Sequence, residues 1–310
     1  MAADDKVALA GCYPIPISPP YPALSKEVEV RRAISAAARS EKYALSSSMD
    51  VDIIFEDEWL VVVNKPIGIY CETLLSSISS FLGASTVPAN LHLANRLDRD
   101  TSGLMVITKA NHIAAKLVRA FSDRKVKKTY LAFCIGHAPP WEKIKVTSGH
   151  GRSKFGAWRV YSASDIGRVL PGGSIVKSMV TSFEILSINR QGKFRAPNEQ
   201  IMEDLPSVVV QGKEPGWCLE GNDTDEVLMR AYPESGRTHQ IRLHCQHFGL
   251  PIRGDVKYGG VLQWKGMDYD FHALHAESLC FEHPVTGLPV FFSAPLPSWV
   301  SAACSITIEA

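Results

Sequence analysis

Short apolar runs rich in β-branched residues, separated by polar turns, set the pattern of hydrophobic and polar positions along the chain. Residues 51–69 predict two strands around an acidic turn, and the second strand ends at an Asn-Lys-Pro sequence. Further strands are predicted at residues 104–110, 129–136 and 226–233. Because these strands lack the regular βα alternation of a doubly wound fold, the pattern favours an α+β fold. We expect a mixed, largely antiparallel central sheet flanked by helices and loops.

An amphipathic helix is predicted at residues 25–42, near the start of the chain. Ser25 is its expected N-cap, and a modest apolar stripe runs through Val28, Ile34 and Ala38. A stripe of this kind normally faces the core of a protein.

Two more helices are predicted farther along the chain. Residues 111–125 form the first, with Asn111 as its N-cap. Residues 238–249 form the second, which Gly249 closes.

Composition shifts predict an N-terminal extension at residues 1–48 and one large domain at residues 49–310. Residues 11–22 contain five prolines, which exclude a helix and predict an extended strap on the domain surface. Residues 195–226 have mixed polarity and predict a mobile loop insertion in the large domain.

Composition otherwise indicates an ordinary globular protein, with 45% hydrophobic and 21% charged residues. The net charge of +1 provides no overall field, so a nucleic-acid partner would need a local basic patch. Seven scattered cysteines without a C-x-x-C pair favour neither a disulfide framework nor a zinc site. An acidic N-terminus and the lack of a long apolar run predict a soluble, intracellular protein that has no membrane partner. We also expect a monomer.

Two carboxylates stand two residues apart in "NRLDRDTSGL", residues 95–104. The turn sequence alone does not distinguish Asp98 from Asp100, and either could cap the turn or take part in chemistry. A glycoside hydrolase would use a carboxylate pair, but such pairs normally come from separate elements. A glycoside hydrolase is therefore the weakest of these interpretations.

A basic run between residues 116 and 128 carries six cationic residues against one aspartate, in an otherwise nearly neutral chain. It is either a solvated helix face or the footprint that a phosphate backbone requires. The run ends in Lys125, Lys127 and Lys128, and Tyr130 follows. A tyrosine at the start of a strand either packs in the core or offers a face on which a base stacks.

The segment "GRTHQIRLH" places Arg237 at the mouth of the predicted third helix and Arg242 within it. Arginine at a helix N-terminus opposes the macrodipole, so helix stability does not explain Arg237. An inward-pointing arginine needs an acidic partner, either one of the two aspartates or a purely structural ion pair.

Three histidines, His239, His244 and His247, could suggest a metal in the same region. They lack the carboxylate and the spacing of the known helical zinc motifs. We expect helix-surface or half-buried side chains instead and no metal site.

Four blocks of sequence, taken in order, resemble the RluA-type RNA pseudouridine synthases. They are "NRLDRDTSGLMVITKA", "KKTYLAFCIG", "GRTHQIRLHCQHFGLPIRGDVKYGG" and "LHAESLCFEHPVTGLPVFFSAP". The resemblance runs from about residue 51 to about residue 297 and is interrupted by residues 195–226. It implies that the large domain is the catalytic domain. An N-terminal S4-type module, which some relatives carry, is not recognisable before residue 48.

The resemblance also implies roles for individual residues. Asp98 would be the catalytic aspartate, Arg242 its ion-pair partner, and Tyr130 the ring that packs against the target base. Arg96 would help to hold the place of the nucleotide that leaves its stack. One position departs from the family, because Asn95 stands where relatives usually have histidine, and we expect activity to survive this change.

The implied reaction converts specific uridines of a tRNA or rRNA to pseudouridine, with no net redox change, so no cofactor is expected. Arg237, Lys125, Lys127 and Lys128 are the expected RNA-binding residues beside Arg96. A catalytically inactive RNA-binding protein on the same fold remains the alternative.

Overall fold

One large sheet dominates the part of the chain that the structure, a computed structural model, describes: residues 13–45, 52–82, 90–197, 205–212 and 224–306. Its strands are β1 Asp52–Glu56, β2 Leu60–Lys65, β3 His92–Leu93, β4 Ser102–Thr108, β5 Lys127–Gly136, β6 Lys143–Arg152, β7 Trp158–Tyr161, β8 Lys177–Ile188, β9 Gln191–Phe194, β10 Ser207–Val209, β11 Asp225–Pro233, β14 Leu274–Glu282, β15 Pro289–Ser293 and β16 Ser305–Ile306. A separate two-stranded sheet pairs β12 Gln263–Trp264 with β13 Met267–Asp268.

The described helices pack around this sheet. They are α1 Lys26–Leu45, α2 Cys71–Leu82, α3 Asn111–Ser122, α4 Gln240–His247 and α5 Ser298–Ala303. Along its main path the sheet has the order β1-β2-β4-β14-β5-β11-β8-β6-β10. Among the described strand pairs, only β4–β14, β6–β10 and β9–β16 are parallel. The predicted α+β fold with a mixed, largely antiparallel sheet is therefore confirmed.

Strand β2 shows how the apolar runs build the core. Leu60 and Val62 belong to one buried cluster, which includes residues of α3, and Val61 and Val63 belong to another, which includes residues of α2. Successive side chains of a strand point to opposite faces, so a strand covered on both faces needs an unbroken apolar run.

A close approach between β4 and β14 fixes the loop that carries the two aspartates. Gly103, in β4, has φ +108°, and a Cβ at this position would lie 2.2 Å from the carbonyl oxygen of Ala276 in β14. Only glycine fits both the conformation and the space. The contact with β14 thus fixes the position of the loop that precedes Gly103.

Residues 13–25, which include most of the predicted strap, form neither helix nor strand, and Ser25 caps α1 by accepting a hydrogen bond from the backbone N–H of Val28. The predicted apolar stripe of α1 is wrong, because Ile34 is 63% exposed and Ala38 is exposed as well. Ion pairs hold this helix, and its polar face turns inwards. Arg31 contacts Asp268 and Asp270.

Two details of the other elements also differ from the sequence predictions. Helix α3 begins at Asn111, but its N-cap is Ala110, so Asn111 does not cap it. Residues 207–209, inside the predicted loop insertion, form β10 and pair with β6, because an edge strand of the sheet accepts one more partner. Residues 198–204 and 213–223 of that insertion lie outside the described residues, as does the serine-rich segment 46–48. No described helix combines the length and the apolar character needed to cross a bilayer.

Candidate active site

A cleft of about 980 Å³ opens between the loop before β4, the start of β5 and the N-terminal end of α4. Its lining contains more cations than carboxylates. The cations are Arg32, Arg96, Arg99, Arg124, Lys128, Arg237, Arg242 and Lys257, and the carboxylates are Glu72, Asp98 and Asp100. A cleft with this surplus attracts a polyanion, and it lies in a chain of nearly neutral net charge.

Asp98 projects into this cleft and meets Arg242, as the sequence predicted. Its Oδ2 accepts a hydrogen bond of 2.7 Å from Nη1 of Arg242. Its Oδ1 lies 3.7 Å from Nε2 of His239, and the side chain is 30% exposed. One carboxylate oxygen is therefore held by a cation while the group stays open to a ligand.

Asp255 holds Arg242 from the other side, and the sequence reasoning missed this residue. Nε and Nη2 of Arg242 donate to the two oxygens of Asp255 at 2.6 and 2.7 Å. Burial lowers the pKa of Arg242, but Asp255 and Asp98 outweigh it, so the pKa rises above its usual value. A buried guanidinium requires such compensation, and a planar bidentate pair fixes its orientation. Nη1, which Asp255 does not bind, is the nitrogen that Arg242 presents to Asp98.

Asp100, two residues on, has a different environment. Arg99 donates to its oxygens at 2.6 and 3.0 Å, and Arg32 of α1 donates at 3.1 Å. Asp100 is only 6% exposed. Both of its oxygens are occupied, so this carboxylate joins the loop to α1 and is not free to react.

Lys65 supports the same loop from below. Its ammonium group donates to the backbone carbonyls of Pro66, Ile69 and Arg99, and the side chain is fully buried. Burial lowers the pKa of Lys65 to about 8. The Asn-Lys-Pro sequence at the end of β2 marked a strand end, but nothing in it revealed that the lysine reaches the loop of Asp98.

Lys128 and Tyr130 are two residues apart in β5 and both line the cleft. Residues at this spacing share one face of a strand. Burial raises the pKa of Tyr130, and the charge of Asp98 raises it further, so the phenol keeps its proton. Burial and the nearby Arg124 lower the pKa of Lys128 to about 8. Lys125 and Lys127 are exposed and do not belong to the cleft lining.

Arg96 and Arg237 lie on the rim of the cleft. The Arg96 guanidinium is 67% exposed and contacts Glu72. Arg237 donates to the backbone carbonyl of Ser178 at 3.0 Å. The acidic partner expected of an inward-pointing arginine belongs to Arg242, and Arg237 bonds a backbone carbonyl instead.

The histidines of α4 are more buried than the sequence predicted. His244 is fully buried between Ser148 and Thr181, each at 2.9 Å, and His247 is 5% exposed. Burial lowers the pKa of both imidazoles, to about 3 and about 4. Neither is a helix-surface residue, because α4 is covered on all sides. No three His, Cys, Asp or Glu side chains of the described residues come together as metal ligands.

Asn95 has a structural contact. Its side-chain oxygen accepts a hydrogen bond of 2.8 Å from the backbone N–H of Val106 in β4. Strand β3 pairs with the neighbouring residues Ile107 and Thr108, so the amide extends this pairing by one bond. Asn95 therefore serves the strand that carries the site loop.

Comparison with known proteins agrees with this fold. The family model described as RNA pseudouridylate synthase matches residues 59–247. The chain is 60% identical to RNA pseudouridine synthase 1 of Oryza sativa subsp. japonica, over 95% of this chain and 85% of that protein. It is 27% identical to ribosomal large subunit pseudouridine synthase D of Vibrio cholerae, over 85% of this chain and 73% of that protein.

A solved structure shares the fold. Human RNA pseudouridylate synthase domain containing 1 superposes with a TM-score of 0.56 at 22% identity, covering 81% of this chain and 86% of that one. The fold and the matches define an isomerase that acts on RNA. The chain belongs to the RNA pseudouridine synthase family, within its RluA-type branch.

Proposed function

We propose that Asp98 is the reacting carboxylate of this synthase and that Arg242 is its ion-pair partner. One observation carries the proposal. Among the cleft carboxylates, Asp98 combines exposure to the cleft with a single bond to a buried guanidinium, whereas two arginines bind Asp100. Asp98 is therefore open to a ligand in the cleft while a buried arginine fixes its position.

The reaction breaks the N1–C1′ bond of uridine, turns the base and joins C5 to C1′. The base must first leave its stack, at a cost on the order of a few kcal/mol. Tyr130 supplies a ring beside Asp98 that packs against the extruded base, and Arg96 fills the space that the base leaves. This arrangement fits uridines in loops and single strands, whose bases are accessible.

Four cations of the cleft have no carboxylate within ion-pair distance among the described residues: Arg124, Lys128, Arg237 and Lys257. The lowered pKa of Lys128 reflects a desolvated ammonium group that lacks an anion. Phosphate groups of the RNA would supply the missing charge. Lys125 and Lys127 would contact only RNA that extends beyond the cleft.

The substrate we propose is a uridine of structured RNA, either tRNA or rRNA. Support comes from the match to a relative whose name assigns it to the large ribosomal subunit. Sequencing pseudouridine positions in tRNA and rRNA from cells with and without the protein identifies the site. If neither tRNA nor rRNA lost a pseudouridine in cells without the protein, this choice would be contradicted.

The catalytic role is tested by tritium release from tRNA and rRNA transcripts that carry tritium at uridine C5. We expect release by the wild type and a loss on the order of 10³-fold in Asp98→Asn. RNA binding by Asp98→Asn, measured on filters, should persist because the cationic cleft is unchanged. An absence of release by the wild type, with RNA binding intact, would favour the inactive RNA-binding alternative.

A further inference from the structure

A row of hydrogen bonds connects the N-terminal strap with the cleft. The backbone N–H of Trp158 donates to Oη of Tyr21 at 3.0 Å. Oη of Tyr21 lies 3.3 Å from Oη of Tyr258, which lies 2.7 Å from Nδ1 of His239. Nε2 of the same imidazole faces Oδ1 of Asp98 at 3.7 Å. The chemistry assigned above uses none of these three side chains.

The backbone N–H at one end of this row favours one order of donors. A backbone N–H can only donate, so the Tyr21 oxygen accepts there and its own proton is left for Tyr258. Tyr258 then donates to Nδ1 of His239, and the imidazole carries its proton on Nε2, towards Asp98. In the reverse order, the Tyr21 proton finds no acceptor among the described residues. An Nε2 lone pair would then also face a carboxylate, which is unfavourable.

The protonation states are compatible with this order. Burial lowers the pKa of His239 to about 4, so its imidazole is neutral near pH 7. Burial raises the pKa of Tyr258 above its usual value, so the phenol keeps its proton. A neutral imidazole has one N–H, and its position is set by the partner of the other nitrogen.

The backbone of His239 also holds this arrangement. Its φ of 57° and ψ of 24° are left-handed, a conformation that is uncommon outside glycine, although asparagine, aspartate and histidine adopt it more often than other residues. The adjacent Thr238 carbonyl accepts a hydrogen bond from His150 at 3.0 Å. This unusual conformation directs the imidazole between Tyr258 and Asp98.

The strap is firmly attached where Tyr21 enters the row. The backbone N–H of Ile17 donates to the Val160 carbonyl at 2.9 Å, and Oγ of Ser18 accepts from the Val160 N–H at 3.1 Å. The edge of the Tyr21 ring packs against Tyr258 with centroids 5.4 Å apart. Both tyrosines lie outside residues 59–247, the stretch that the family model matches.

We propose that Tyr21 and Tyr258 are positioning residues that fix the Nε2–H tautomer of His239 and thereby orient Oδ1 of Asp98. The strap thus takes part in catalysis through a hydrogen-bond row and not only through packing. This inference rests on the proposed role of Asp98. Arg242 holds Oδ2, and Nε2 of His239 lies 3.7 Å from Oδ1, close enough to orient it but longer than a hydrogen bond.

The tautomer is read directly by ¹⁵N NMR of the imidazole nitrogens in the wild type. We expect the Nε2–H form in the wild type and a mixture of tautomers in Tyr21→Phe, which keeps the ring. An Nδ1–H form in the wild type would overturn the inference. This readout does not depend on turnover, so it stays separate from a failure of the role assigned to Asp98.

Kinetics of two matched variants separate positioning from backbone strain. His239→Gln places an amide N–H near the position of Nε2, whereas His239→Asn places one near Nδ1. Because asparagine accepts the left-handed conformation better, a purely structural role predicts that His239→Asn is the more active variant. Our inference predicts the opposite order, with kcat differing by about 10-fold and KM unchanged.

The hydroxyl groups give the last comparison. Tyr21→Phe and Tyr258→Phe should each lower kcat by about 10-fold or less, with KM for RNA unchanged, because each breaks the same row. The double variant should be no slower than the slower single variant. Wild-type kcat in both single variants would overturn the inference.

Discussion

Asp98 and Asp100 are two residues apart in one loop, and their surroundings make them different kinds of carboxylate. Asp98 receives one bond from an arginine that Asp255 already holds, and it remains 30% exposed. Asp100 receives bonds from Arg99 and Arg32 on both oxygens and is buried. The number and direction of the arginine contacts, and not the residue type, separate the proposed reacting group from a structural one.

The largest effect on stability should come from the residue that holds Arg242. Asp255→Asn breaks a buried bidentate pair and leaves the guanidinium poorly compensated, so we expect a loss of about 3–5 kcal/mol in the free energy of unfolding. Urea denaturation measures it. Asp268→Asn is the matched control, because the exposed Arg31–Asp268 pair should contribute about 1 kcal/mol or less. A loss below 1 kcal/mol in Asp255→Asn would show that the buried pair of Asp255 contributes no more than the exposed pair of Asp268.

A smaller effect is expected on the Asp100 side. Arg32→Gln removes one of the two arginines that bind Asp100, while Arg99 keeps its two bonds. We expect a loss of about 1–3 kcal/mol in unfolding free energy, measured with urea, because a buried acceptor loses a partner. kcat at saturating RNA should stay near the wild-type value, with Arg31→Gln as control. A large fall in kcat without loss of stability would give the Asp100 side a catalytic role.

The pH dependence of RNA binding tests the proposed contact between Lys128 and a phosphate of the RNA. The pKa of Lys128 is about 8 in the free protein and should rise when a phosphate binds. Above pH 8, binding of RNA therefore requires the uptake of a proton by Lys128. RNA affinity should therefore fall as pH increases from 7 to 9, by about 10-fold or less. Dissociation constants at fixed ionic strength measure this. Lys128→Arg should have a flatter profile and Lys127→Arg the wild-type one, whereas identical profiles in all three proteins would refute the contact.

The smallest effect is expected at Asn95. Asn95→Ala leaves the buried N–H of Val106 without its acceptor, at a cost of about 1 kcal/mol in unfolding free energy. The rate of tritium release should not change, because this amide serves β4 and not the substrate. A rate loss without a change in stability would assign Asn95 a contact with RNA.

Much of the fold followed from periodicity. The strands around residues 51–69 and the helix after β4 were predictable because burial on one or both faces leaves a regular apolar pattern. Helix α1 was predicted, but its inward face was misjudged because ion pairs of Arg31 and Arg32 hold it, and charged residues normally indicate solvent. Strand β10 was missed because three residues carry too little periodic signal.

The site residues were predictable where a sequence block resembles the family and so implies a role for a particular residue. The pairing of Asp98 with Arg242 was expected, and the structure places them 2.7 Å apart. Asp255 was missed because its separation of 13 residues from Arg242 follows no periodic spacing, and Lys65 was missed because its partners are backbone carbonyls. A single sequence contains no signal for contacts of that kind.

The most direct test compares Asp98→Asn with Asp100→Asn, each measured by single-turnover tritium release and by urea denaturation. Our account predicts that Asp98→Asn loses on the order of 10³-fold in rate and changes unfolding free energy by about 1 kcal/mol or less. Asp100→Asn should lose about 3 kcal/mol of stability but keep its rate while folded. Turnover that survives in Asp98→Asn and vanishes in a folded Asp100→Asn would contradict the account.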